Sequence, residues 1–226
     1  KIDTNKGTTD WSTPAFWTTG LFNEADWQGQ WIGLDKAAPG DSETQWSRLA
    51  ARYLRKEFAL KKEVKRATVH IAGMGLYELF INGQRIGNQV LAPAPTDYRK
   101  TILYNTYDVT SLLQTENAIG VTLGNGRFYT MRQNYKPYKI PTFGYPKLRL
   151  NLIVEYADGS KETIATNPTW KLTTDGPIRS NNEYDGEEYD ARKELGNWTQ
   201  TGYDDKSWMP AQRVSIPSGT LRAQMM

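Results

Sequence analysis

Lys147-Leu148-Arg149-Leu150-Asn151-Leu152-Ile153-Val154-Glu155-Tyr156 carries the cleanest alternation in the chain. Leu148, Leu150, Leu152 and Val154 fall on one side of a period of two, the pattern of a strand with one buried face. Asp158-Gly159 then closes a hairpin onto 162–165. The same pattern repeats upstream. Residues 53–60 alternate, and so do 67–73, where Val69 and Ile71 share one face and His70 takes the other. A third run, 76–81, ends on Asn82-Gly83, the strongest short hairpin signal, and Gln84-Arg85-Ile86 returns. Further extended runs fall at 102–107, 118–123, 170–173 and 178–180, with a capped helical turn at 108–113. Pro93 and Pro95 make 91–98 loop or edge. No 3.6-residue period lasts beyond two turns. Many short strands with regular turn signals predict an all-β fold, a β-sandwich or jelly roll.

Composition sets the outer limits. The 226 residues hold 28 Lys and Arg against 25 Asp and Glu, a net charge of +3, one His and no Cys. Without Cys there is no thiolate nucleophile, zinc–thiolate site or iron–sulfur cluster. Near-balanced charge lacks the basic footprint of a nucleic-acid binder. No stretch approaches the roughly 18 apolar residues of a membrane span, and Lys1-Ile2-Asp3 does not open a signal peptide. Eight Trp and 13 Tyr accompany a mean hydropathy of −0.68. That excess suits pleated half-buried surfaces, and equally aromatic faces that stack on sugar rings.

The search for chemistry is mostly negative. His70 lies inside a strand with no motif marking a nucleophile or an orienting acid, so a structural or surface role is expected. Gly73-Met74-Gly75 and Gly124-Asn125-Gly126 do not open helices, which removes dinucleotide and P-loop readings. The acidic run 181–192 fails as an EF-hand because Arg192 stands where a bidentate Glu is needed. Glu187, Glu188 and Asp190 supply the carboxylates of a small glycosidase, although such a run ordinarily forms a solvated loop or pairs with Arg. Asn197-Trp198-Thr199 is a glycosylation sequon by pattern alone.

Several motifs recur in a telling order: Tyr53-Leu54-Arg55-Lys56-Glu57-Phe58, Gly75 through Gly87, Leu91-Ala92-Pro93, Thr96-Asp97-Tyr98, 104–110, and Asn117 through Gly126. They are flanked by 16–33 and by 184–192 with 204–208. In this order the chain resembles the N-terminal accessory β-sandwich region of bacterial α-L-rhamnosidases of glycoside hydrolase family 78. The resemblance implies a galactose-binding-like jelly-roll β-sandwich with an irregular N-terminal arm. It implies residues 1–33 as an arm from a preceding domain, 34–213 as the sandwich and 214–226 as a linker towards a catalytic domain. The parent would be an inverting α-L-rhamnosidase whose two acids sit in an (α/α)₆ barrel of the same polypeptide, acting on rhamnose-containing glycans or glycosides in a periplasmic or secreted setting. The chain itself is then a non-catalytic carbohydrate-binding or scaffolding region; a free-standing carbohydrate-binding module and a small hydrolase using the 187–190 acids stand as alternatives. A sugar site is expected to combine Asn88 and Gln89 with Asn125, Arg127 and Tyr129, and with Asn134, Tyr135 and Tyr138 of the Tyr-rich 130–146 loop. No cofactor is required; calcium is implied for some relatives, but Gly87-Asn88-Gln89 offers amides where a carboxylate would serve better.

Overall fold

The computed structural model describes residues 1–14, 19–36, 49–130 and 142–224. In chain order its strands begin with β1 (Asp3–Thr4), β2 (Gly7–Thr8), β3 (Ile32–Gly33), β4 (Arg52–Ala59), β5 (Val64–Met74) and β6 (Leu76–Ile81). Next come β7 (Gln84–Ile86), β8 (Thr101–Asp108), β9 (Glu116–Gly124), β10 (Lys147–Tyr156), β11 (Lys161–Ala165) and β12 (Lys171–Thr173). The last are β13 (Ile178–Asn182), β14 (Gly186–Tyr189), β15 (Met209–Pro210), β16 (Gln212–Arg213) and β17 (Thr220–Ala223). One sheet runs β16-β3-β10-β5-β8-β17 with β11 also on β10; the other runs β15-β12-β4-β9-β6-β7. The chain is an all-β sandwich, as the alternation requires.

Leu148, Leu150, Leu152 and Val154 of β10 are fully buried. With Val69 and Ile71 of β5 they meet Leu54, Leu79, Ile119, Val121 and Leu123 from the facing sheet. Each such side chain contributes roughly 1.5–3 kcal/mol by leaving water. Trp170 closes this core, its indole N–H donating to the Ala165 carbonyl at 3.0 Å, so the buried ring leaves no open donor. At the β6–β7 turn Asn82 and Gly83 take φ of 50° and 83°, the left-handed pair a two-residue hairpin needs. The Asn82 side chain locks the turn by donating to the Leu112 carbonyl and accepting from the Ala118 amide.

The polar side of β10 departs from the simple pattern. Lys147, Arg149 and Asn151 are all buried, because the N-terminal segment lies across them. Arg149 donates through Nε to Gly29 O at 2.6 Å and through Nη2 to Trp27 O at 3.3 Å, pairs with Glu24, and places its guanidinium over the Trp27 ring. Asn151 accepts from Gly29 N and donates to Asp26 O, while Lys147 Nζ reaches Asp35 and Ser215. Trp27, Trp31, Met74, Tyr104 and Val214 build a second apolar cluster there. His70 is buried beside it, edge-on to Trp27 and Tyr104 with Nδ1 3.0 Å from Thr106 Oγ1, and burial lowers its pKa to about 4.

Both ends of the chain also pair with the larger sheet. Within the 1–33 arm, Ile32–Gly33 pairs with both β10 and β16. Within the 214–226 segment, read as a linker, Thr220–Ala223 adds a parallel strand to β8. Both segments are therefore stitched into the larger sheet. On the smaller sheet, buried Arg55 holds 198–205 by donating to the Trp198 and Gln200 carbonyls and pairing with Glu57 and Asp205. Trp198 and Trp208 cover that half of the outer face.

Candidate functional site

The other half of that outer face forms the floor of a groove. Leu76 stands opposite Gly124 and Glu78 opposite Thr122 in the β6–β9 register, so these side chains share the outward side. One wall is the segment after β7. There the Tyr77 amide donates to Ala92 O at 2.8 Å, which pins Ala92 to β6 and makes 87–91 bulge outward with Val90 and Leu91 exposed. The opposite wall is the β13–β14 hairpin, in whose register Asn181 faces Glu187. The space between is about 640 Å³ and is lined further by Tyr98, Arg127, Asn182 and Glu183.

Its polar groups differ in how far they are engaged. Glu78 is held by Arg85 at 3.0 Å and Glu183 by Arg127 at 2.7 Å. Glu187 has no ion pair among the described residues. Tyr98 is only 6% exposed, its ring set edge-on to Phe128 and Phe143, each 5.2 Å away. Burial raises its phenol pKa, with Glu183 adding to the rise and Arg127 opposing it. The phenol therefore stays protonated at neutral pH and can both donate and accept.

The structure separates the residues expected at a sugar site. Arg127 reaches the groove. Asn125 does not serve there: it is 1% exposed, and its Nδ2 donates to Leu49 O at 2.6 Å and Asn181 O at 2.7 Å. Tyr129 is likewise turned inward, stacked on Tyr145 at 5.6 Å. The cause is a tight turn in which the Phe128 and Tyr129 amides both donate to Asn125 O, rolling these two side chains inward while Arg127 points out. Asn88 is exposed and Gln89 half-buried on the bulge, outside the groove lining, with Gln89 Oε1 accepting from the Tyr107 hydroxyl. Asn134, Tyr135 and Tyr138 lie outside the described residues. Tyr98, Asn181 and Leu76 are lining residues that sequence reasoning passed over; Tyr98 belonged to a quoted motif, but only the fold shows where it points.

Calcium does not fit the residues present at the 87–89 bulge. It wants six to eight oxygens with carboxylates among them, and this bulge offers one exposed amide and one whose oxygen is already engaged. Among the described residues no group of three or more His, Cys, Asp or Glu converges. The 187–190 acids are likewise dispersed. Glu187 faces the groove and Glu188 the other side of the hairpin, where Ser180 donates to it. Asp190 accepts from both Nε and Nη2 of Arg192 at 2.8 Å, which holds its carboxyl down to about 2. A group so readily ionised is a poor proton donor for glycoside cleavage.

Comparison with known proteins gives a consistent picture. Residues 62–226 match the family profile described as the α-L-rhamnosidase N-terminal domain. An α-L-rhamnosidase of Formosa agariphila is 37% identical, covering 99% of this chain and 25% of that protein. The solved α-L-rhamnosidase of Dictyoglumus thermophilum superposes with a TM-score of 0.79 at 42% identity, covering 92% of this chain and 23% of that one. A Streptomyces avermitilis α-L-rhamnosidase solved with L-rhamnose gives 0.68 at 40% identity, over 75% of this chain and 16% of that one. The chain thus spans about a quarter of the length of the curated relatives it matches.

Proposed function

The chain belongs to the family of α-L-rhamnosidase N-terminal domains, and from that premise we propose that it is a non-catalytic accessory region of an enzyme hydrolysing terminal α-L-rhamnosides. In this reading the two catalytic acids lie in an (α/α)₆ barrel elsewhere in the same polypeptide. The sandwich serves that barrel as a rigid scaffold and meets the rhamnose-containing glycan or glycoside through its open sheet face.

The observation that carries the reading is the match of 62–226 to an N-terminal domain within a chain spanning only about a quarter of its relatives. The state of the acids supports it. Glu78 and Glu183 are engaged by guanidinium groups, Asp190 outside the groove is locked on Arg192, and among the described residues Glu187 is the one groove acid without an ion pair. Scaffold duty fits the way Arg149 binds the N-terminal segment, and Arg55 the 198–205 segment, onto the sandwich. The test is turnover of an aryl α-L-rhamnoside by the 226-residue chain. The reading expects background rates in the wild type, in Glu187→Gln and in Glu188→Gln alike. Turnover above background that either substitution removes would overturn it in favour of a small glycosidase.

A further inference from the structure

The N-terminal arm and β17 meet on one side chain. Tyr104 of β8 is 1% exposed, its ring edge-on to Trp27 at 5.2 Å and to His70 at 6.0 Å. Its hydroxyl donates to Leu21 O of the arm at 3.0 Å. Its backbone carbonyl accepts from Gln224 N, just past β17, at 2.8 Å. The two segments also touch each other. Gly20 lies so close to the Tyr104 hydroxyl that a Cβ there would overlap it, and the same Cβ would stand 3.2 Å from the Ala223 side chain. Leu21 and Leu221 both pack on the apolar cluster that contains Trp27 and Tyr104.

Each segment has little else to hold it at this point. β17 has four residues and pairs with β8 alone among the described residues, and strands that short are marginal by themselves. Around Leu21 the arm has no strand partner among the described residues. Losing the arm strips the Tyr104 hydroxyl of its acceptor and uncovers the cluster on which Leu221 sits; losing β17 uncovers the surface on which Leu21 sits. We propose that Tyr104 couples the arm to β17, so that the two segments dock on the larger sheet as one unit and release of either loosens the other. Such coupling is reciprocal, because each docked segment stabilises the site of the other by the same free energy. It does not rest on the accessory-region reading; within that reading it keeps both flanks of the scaffold in one fixed arrangement.

The experiment is native-state hydrogen exchange on the ¹⁵N-labelled chain, in which locally opening segments exchange ahead of the whole fold. Gly29 N, which donates to Asn151 Oδ1, and Gln30 N, which donates to Thr166 O, report the arm. Thr220 N, which donates to Lys100 O, and Gln224 N report β17, and Val121 inside the facing sheet reports opening of the whole fold. Gly29→Ala pries up the arm over β10, far from β17, because its Cβ would stand 2.7 Å from Thr166 Oγ1 and 3.0 Å from Asn151 Oδ1. Gln224→Pro removes the N–H that Tyr104 O accepts. Gly29→Ala is expected to speed exchange at Thr220 and Gln224 by ~3–10-fold, and Gln224→Pro to speed it at Gly29 and Gln30 by a similar factor. Tyr104→Phe, which keeps the ring, should speed both sets, while Val121 changes by less than ~2-fold in all three variants. Variants that each speed only their own segment, a Tyr104→Phe protein in which neither set moves, or a rise at Val121 equal to that at the arm and β17 would overturn the coupling.

Discussion

Arg149→Ala is the substitution that most sharply tests how the N-terminal segment is held. The Arg149 side chain is 8% exposed, and its fork satisfies the carbonyls of Gly29 and Trp27 beneath the arm. Truncation leaves two buried acceptors unpaired, each costing about 1–3 kcal/mol. It also removes the guanidinium from the Trp27 face, about 0.5–2 kcal/mol. The ion pair with Glu24 adds little, because Glu24 is 68% exposed and well screened. Allowing for relaxation, the loss should be about 3–5 kcal/mol, a large part of the roughly 5–15 kcal/mol that stabilises an ordinary domain. Arg149→Met keeps the stem packed on Trp27 and should recover about 1 kcal/mol. Urea unfolding followed by tryptophan fluorescence measures the loss, and limited proteolysis at 19–35 reads release of the arm. An Arg149→Ala protein within about 0.5 kcal/mol of wild type, with unchanged cleavage, would refute the staple.

Two further predictions follow from local chemistry. His70 has a pKa near 4 in the fold against 6.5 unfolded, so its contribution is flat above pH 6.5; between 6.5 and about 4 only the unfolded chain takes up the proton, and stability falls as pH falls, by up to about 3 kcal/mol. His70→Phe, which preserves the edge contacts to Trp27 and Tyr104, should flatten that part of the pH–stability curve. Gly83→Ala forces a Cβ into a left-handed position at φ 83° and should cost about 1–2 kcal/mol, lowering the melting temperature by roughly 2–8 °C in a scanning calorimeter.

Much of the fold was legible because it is local. Leu148, Leu150, Leu152 and Val154 alternate, Asn82-Gly83 dictates its own turn, and both lie where the pattern puts them. The opposite face of the same strand shows what alternation cannot encode. Alternation puts Lys147, Arg149 and Asn151 on the face away from the core, and what buries them arrives from segments as much as 125 residues away in sequence. Trp31-Ile32-Gly33 was legible as extended but not its partners, and Thr220–Ala223 is a short run that becomes a strand through long-range pairing with β8. At the site, Asn125, Arg127 and Tyr129 were legible only as a group, and the hydrogen bonds of their turn roll Asn125 and Tyr129 inward while Arg127 reaches the groove. Glu187 was visible as one acid among several. Only the hairpin register separates it from Glu188 and sets it across from Asn181.

The most direct test of the central claim is rhamnoside turnover by this chain extended to the full span of its relatives, measured beside the 226-residue chain alone. The longer polypeptide is expected to hydrolyse an aryl α-L-rhamnoside and the shorter to stay at background. Equal rates in the two, or no turnover by the longer one, would contradict it.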